Sequence, residues 1–156
     1  MSGIPSFSSM PYERPSVAQV ESRYEGLNKA WDSAKTREEQ ALVLRDWNDY
    51  RMELETCENL VVVRFHLDTQ DETYREEQAF FDREGPTFES LKLAFIKRVL
   101  SSSFREDHEK EFGGQAVALW ERFAASFDPK IAEEKRTAAA LVTRYSELLA
   151  TVRIDC

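Results

Sequence analysis

The chain is short of glycine and proline, with 5 of each among 156 residues, about half the usual combined share. β-sandwiches and barrels need such residues at their many corners, so the shortage points toward long helices instead. Cysteine is scarcer still: Cys57 falls inside a helical pattern and Cys156 is the last residue. Two such positions offer no paired framework and no metal-ligand spacing, and Cys57 reads as a small core residue. Basic charge is in deficit, 21 Lys and Arg against 29 Asp and Glu, for a net charge of -8 and a pI near 4.9. A phosphate backbone or an anionic lipid surface would be repelled, so neither nucleic acid nor membrane is an expected partner. Long apolar runs are missing too. Stretches such as Leu60 to Val63 are far too short to span a bilayer, and Met1 to Pro15 has neither the basic nor the apolar part of a secretory leader. A cytoplasmic location is the expectation.

What the chain does have is 42% hydrophobic and 32% charged residues, arranged at helical spacing. Val17, Val20, Tyr24, Leu27 and Trp31 recur every three or four residues after Ser16, a candidate N-cap with Gln19 as its capping-box partner, which predicts a first helix ending near Lys35. Thr36 and Glu39 repeat the capping-box pattern and open a second helix striped by Leu44, Trp47, Tyr50, Leu54, Cys57, Val61 and Phe65. Run from about Arg37 to His66, that helix would be roughly 45 Å long. A compact domain of this length is only about that wide, so an elongated bundle is expected.

Asp71 is placed to cap a third helix with Tyr74, Gln78, Phe81, Phe88, Phe95 and Val99 on its buried side. Gly85 and Pro86 interrupt it, but the stripe keeps its phase across them, which favours one kinked helix over two. A short helix around Phe104 to Phe112 should stop at Gly113 and Gly114, followed by another over Ala116, Leu119, Trp120 and Phe123. Asp128-Pro129 reads as an N-cap acid with proline at the first helical position. Ile131, Ala138, Leu141, Val142, Tyr145, Leu148 and Val152 then stripe a last helix. The expected fold is all-α, with five to six antiparallel helices in a single domain over residues 12–156 behind a flexible lead-in over residues 1–11.

Candidate chemistry is sparse. His108-Glu109-Lys110-Glu111-Phe112 begins like the zincin motif H-E-x-x-H, which needs two imidazoles at i and i+4 and a glutamate to activate the metal-bound water. Phenyl cannot ligate zinc, and the one other histidine is His66. Arg64, Asp68, Asp71, Glu72, Glu76, Glu77 and Asp82 form a charged stretch around the turn between the second and third helices. A divalent cation could use such carboxylates, but the favoured reading is a solvated face in which Arg64 clasps an acid and braces the turn. The ten Phe, at helical spacing, read as core. No residue is assigned a catalytic or metal-binding role, and no cofactor is expected.

Several stretches together resemble a known family. Pro11-Tyr12-Glu13-Arg14-Pro15 looks like the Y-x-R-P opening of oligoendopeptidase F-type enzymes, the M3 zinc metallopeptidases, and the stretch from Arg64 to Tyr74 is similar to their R-x-x-x-D-T-x-D-x-x-Y. Glu77, Phe80-Phe81-Asp82 and Pro86 follow at the family's spacing. Ser103-Phe104-Arg105, Phe112-Gly113, Phe127-Asp128-Pro129-Lys130-Ile131 and Tyr145-Ser146-Glu147-Leu148-Leu149-Ala150 match in order after them.

The resemblance implies a helical N-terminal portion of a peptidase, a portion that helps wall the substrate channel in the family. It implies no catalytic or zinc residue here, because the family's H-E-x-x-H helix and downstream glutamate would lie beyond Cys156. The expected function is therefore a non-catalytic helical domain able to bind a peptide or protein partner. Alternatives are an accessory subunit completed by a separately encoded catalytic chain, and a purely structural bundle. Self-association as a dimer is also expected, through apolar surface that a catalytic portion would otherwise cover, with Trp47, Phe81, Phe88 and Tyr145 as candidate contributors.

Overall fold

The computed structural model describes residues 6–126 and 132–151. Among these there are six α-helices and no strand: α1 Val17–Ser33, α2 Arg37–Leu67, α3 Glu72–Leu100, α4 Arg105–Phe112, α5 Gly114–Ser126 and α6 Ala132–Thr151, preceded by a 3-10 turn at Phe7–Ser9. The all-α expectation holds. The predicted cap at Asp128-Pro129, the stripe positions Ile131 and Val152, and Cys156 lie outside the described residues.

Local signals account for several helix ends. Thr36 and Glu39 form the predicted capping box, with the Glu39 N–H donating to Thr36 Oγ1 at 3.2 Å and the Thr36 N–H to Glu39 Oε2 at 3.1 Å. The Lys35 N–H adds a third bond to the same carboxylate oxygen at 2.6 Å. These bonds occupy donors that the helix itself leaves unpaired. Asp71 caps α3 as expected, accepting from the Tyr74 N–H at 2.9 Å. Ser16 is the N-cap of α1, but its hydroxyl makes no capping bond. Its carbonyl takes the Val20 N–H, as the carbonyls of Thr36 and Asp71 take those of Gln40 and Arg75, and the predicted side-chain cap is corrected.

Gly113 ends α4 at φ 94°, backbone open to glycine at little cost, while Gly114 begins α5 instead of sharing the stop. Helix α3 runs on through Gly85 and Pro86 as one helix. Proline there removes the N–H that would reach the Asp82 carbonyl, but the buried residues on both sides, Phe80, Phe81, Phe88 and Leu93, keep the turn in place.

The chain divides into two compact units, one built from the described residues of Met1–Pro15, Glu53–Pro86 and Ile131–Cys156, the other from those of Ser16–Met52 and Thr87–Lys130. In the second unit α1, the start of α2, the end of α3, α4 and α5 enclose an aromatic core. Trp47 is fully buried, stacked on Phe95 at 5.0 Å and edge-on to Trp120 at 5.8 Å, and Trp31 meets Phe95 at 5.6 Å. Val20, Tyr24, Leu27, Leu44, Ile96 and Val99 fill the space around them. Aromatic side chains of this size dominate the apolar area that holds such a unit together.

The first unit buries less: Leu60, Val61, Phe65, Phe80 and Phe81. Its last helix departs from expectation. Leu141, Val142, Tyr145, Leu148 and Leu149 of α6 are all exposed, although their spacing reads as a core stripe. Conversely Trp47, Phe81 and Phe88, expected as contributors to a sticky surface, are core residues. Helical period alone marks an apolar face without saying what covers it.

Candidate functional site

Tyr12, Arg14 and Glu77 are brought together in the first unit, where they fasten the N-terminal segment down. Tyr12 donates its hydroxyl to Glu77 Oε2 at 2.6 Å, and Arg14 grips the same carboxylate with Nε at 3.0 Å and Nη2 at 2.6 Å. The Arg14 guanidinium also lies over the Phe80 ring, 5.2 Å from its centre. Burial alone would push the Glu77 carboxyl up, but the hydrogen bonds from Arg14 and Tyr12 outweigh it and hold the group below its usual range. Burial, with Glu77 beside it, pushes the Tyr12 phenol well up, so it stays a donor.

Arg64 extends the same fastening. It donates from Nε to the Phe7 carbonyl at 3.0 Å and from Nη2 to the Met10 carbonyl at 2.5 Å, with its guanidinium 5.6 Å from the centre of the Tyr12 ring. The predicted Arg64–carboxylate clasp is therefore corrected. A guanidinium reaching across to the segment before α1 satisfies backbone acceptors, and the turn is braced without it: Asp68 Oδ1 accepts from the Gln70 N–H at 2.9 Å and Asp71 caps α3. Glu72 and Glu76 are exposed, and Asp82 accepts from Thr143 at 2.6 Å and Gln78 at 2.9 Å. The acids of the charged stretch thus point to separate tasks. Among the described residues no three His, Cys, Asp or Glu side chains converge as a metal-binding group would require.

His108 of the near-zincin sequence is buried in the second unit. Its Nε2 donates to Gln40 Oε1 at 3.1 Å, the same oxygen that accepts from the Ser102 hydroxyl at 2.5 Å, and its ring tilts against Trp31 at 5.8 Å. That assignment leaves Nδ1 unprotonated, buried and without a partner. Burial lowers the His108 pKa, partly opposed by Glu111 and Asp107, and so keeps the ring neutral. His66 is on the surface of α2, with Nδ1 2.8 Å from the Val62 carbonyl. A zinc site of the zincin kind does not fit these residues: Phe112 stands where the second imidazole must be, and His108 is enclosed in a core. The Cys57 thiol is half-buried, and burial, with Glu53, pushes its pKa up, away from the reactive thiolate.

An open groove of about 810 Å³ runs between α3 and α6 in the first unit. Polar contacts join its two sides: Arg75 pairs with Glu147 at 3.0 Å, Arg136 donates to the Arg83 carbonyl at 2.9 Å, and Thr143 bonds Asp82. The sequence reading missed both this polar contact and the role of Glu77. For Glu77 a signal existed, since Tyr12, Arg14 and Glu77 all belong to the matched stretches. For α6 none did, because its polar face looks like any solvated helix face.

The comparisons with known proteins agree with the family resemblance. Residues 7–127 match the model of the Peptidase M3 N-terminal domain. A crystal structure provisionally designated oligoendopeptidase F from Bacillus anthracis str. Ames superposes with a TM-score of 0.91 at 31% identity, covering 99% of this chain and 28% of that one. PZ peptidase A, solved with an inhibitor, gives 0.90 at 30% identity, over 96% of this chain and 26% of that one. A second structure designated oligoendopeptidase F gives 0.84 at 31%, over 89% and 25%. Comparison with curated proteins returns no match. This chain thus spans little more than a quarter of the length of the solved structures it resembles. By sequence over most of its length, and by fold over nearly all of it, the chain belongs to the Peptidase M3 N-terminal domain family.

Proposed function

We propose that these 156 residues act as a non-catalytic helical domain of the M3 oligopeptidase type, binding a peptide or protein partner without hydrolysing it. The observation that carries this reading is the fate of the one sequence resembling a zincin motif. His108 is spent on Gln40 inside an aromatic core, and Phe112 takes the place of a second ligand. Tyr12, Arg14 and Glu77, from the stretches that resemble the family, serve as a fastening of the N-terminal segment, with the Glu77 carboxylate taken up by Tyr12 and Arg14. The test is metal analysis of protein prepared without chelators, together with cleavage assays on a mixed oligopeptide library. No stoichiometric zinc and no cleavage are expected; one tightly held zinc per chain with chelator-sensitive cleavage overturns the reading. Two cysteines without a paired framework suit the reducing cytoplasm as its location, which cell fractionation checks.

A second reading is an accessory subunit completed by a separately encoded catalytic chain, which the exposed apolar residues of α6 would suit. Co-purification from the native host separates the two. Only the second requires a catalytic polypeptide to come down with this chain.

A further inference from the structure

Helix α4 is anchored to its unit by a titratable side chain. The segment Arg105–Phe112 is charged at every position except His108 and Phe112, and His108 is its one buried residue, 1% exposed, with Phe112 half-buried. A helix this short does not persist in water on its own backbone bonds and depends on what it packs against. Its ion pairs to neighbouring helices, Arg45–Glu111 and Arg105–Glu121, lie at the surface, where such pairs contribute little. The deepest anchor is therefore the imidazole. Its Nε2 donates to Gln40 Oε1 of α2, and the Ser102 hydroxyl, just before α4, donates to the same oxygen while accepting from the Phe104 N–H at 3.0 Å. One amide oxygen thus ties down both the entry to α4 and its middle turn.

We propose that His108 makes α4 a pH-operated latch, closed while the ring is neutral and released, by local opening of the helix, when the ring takes up a second proton. Protonation puts a hydrogen on Nδ1, which is buried and has no acceptor, so the closed form would hold an unpaired charge and an unmet donor together. The charges around the ring do not relieve this. Glu111 and Asp107 of α4 favour the imidazolium and Arg37 of α2 opposes it. Each has another partner: Glu111 pairs with Arg45, Asp107 with Lys110 at 3.9 Å, and Arg37 with Glu38 at 2.7 Å. From α1 the Trp31 ring packs against the imidazole, and the adjacent Asp32 pairs with Arg98 of α3 at 3.3 Å; α5 brings Glu121, paired with Arg105. Burial outweighs these charges and keeps the pKa of the enclosed ring below that of free histidine. The latch is therefore shut above the free value of about 6.5 and loosens as pH falls from there toward the lowered one, because only the open form then takes the proton readily. Every contact in it lies inside the second unit, so it stands apart from the proposed function.

Amide hydrogen exchange read by mass spectrometry from about pH 7.5 down to about pH 5.5, corrected for the pH dependence of intrinsic exchange, tests the latch on the unaltered chain, on His108→Gln and on His66→Gln. Protection of the amides from His108 to Gly113 should fall by a factor approaching tenfold per pH unit below about 6.5, while that of α1 from Tyr24 to Trp31 holds. His66→Gln, which removes the surface histidine of α2, should behave like the unaltered chain. His108→Gln should begin with weaker protection of α4 and keep it level across the series. Protection of α4 that ignores pH in the unaltered chain overturns the proposal. So does its loss in step with α1, which would make the event global unfolding, and so does the same pH dependence in His108→Gln. The first two results come from the unaltered chain alone, so the latch stands or falls even where His108→Gln does not fold.

Discussion

At the residue scale, Glu77 is the position on which most depends, because one carboxylate takes four bonds from two side chains more than sixty residues away in sequence. Its hydrogen bonds hold its pKa down in the fold, so the stability it contributes is present above the ordinary carboxylate pKa and is lost as pH falls through the lowered value. Glu77→Gln keeps the shape but removes the charge that Arg14 pairs with. Since Arg14 is 45% exposed, the expected cost is modest, about 1 kcal/mol. Chemical denaturation near neutral pH should show that loss, and the gap between the two proteins should close in acid.

His108 carries a second pH dependence. Its pKa is lowered in the fold, so its contribution is present above the free histidine value and is lost as pH falls below it, when the unfolded chain takes a proton that the buried ring resists. Thermal melts between neutral and mildly acid pH should slope downward for the unaltered protein. They should be flatter for His108→Gln, even though that variant starts lower for having lost its packing against Trp31. An unchanged slope would mean that the ring titrates freely.

At the scale of the element, two glycines make opposite predictions. Gly26 lies inside α1, where a Cβ would meet nothing within 4 Å, so Gly26→Ala should stabilise by about 0.5–1 kcal/mol through helix propensity and a less disordered unfolded chain. Gly113 also has room for a Cβ but sits at φ 94°, so Gly113→Ala should destabilise by about 1 kcal/mol or more despite the open space. Paired melting curves check both. Should the two alanines act in the same direction, backbone conformation would not be what separates them. The long helices themselves were legible in advance: Thr36 with Glu39, and Asp71, mark starts whose partners are three residues away, within reach of any local reading. Ser16 shows the limit, since a residue type suited to capping stands at the N-cap of α1 and its hydroxyl makes no capping bond.

For the whole molecule, the sequence by itself determined the all-α class, most helix bounds and the family, because caps, helical spacing and ordered motif residues act over three or four positions or survive as identities. It also determined that no second imidazole stands four residues after His108. Only the tertiary structure decided what those residues meet. Arg64 finds the carbonyls of Phe7 and Met10 in place of an acid. Glu77 finds Tyr12 and Arg14, and Trp47 and Phe88 go to the core while the equally periodic leucines of α6 stay outside. The physical reason is that a helix needs only its own backbone bonds and a two-sided pattern to form. Which side it turns toward its neighbours depends on the polar groups those neighbours offer. For α6 these are Arg75, Asp82 and the Arg83 carbonyl, so its arginine, threonine and glutamate face inward and its apolar stripe is left at the surface.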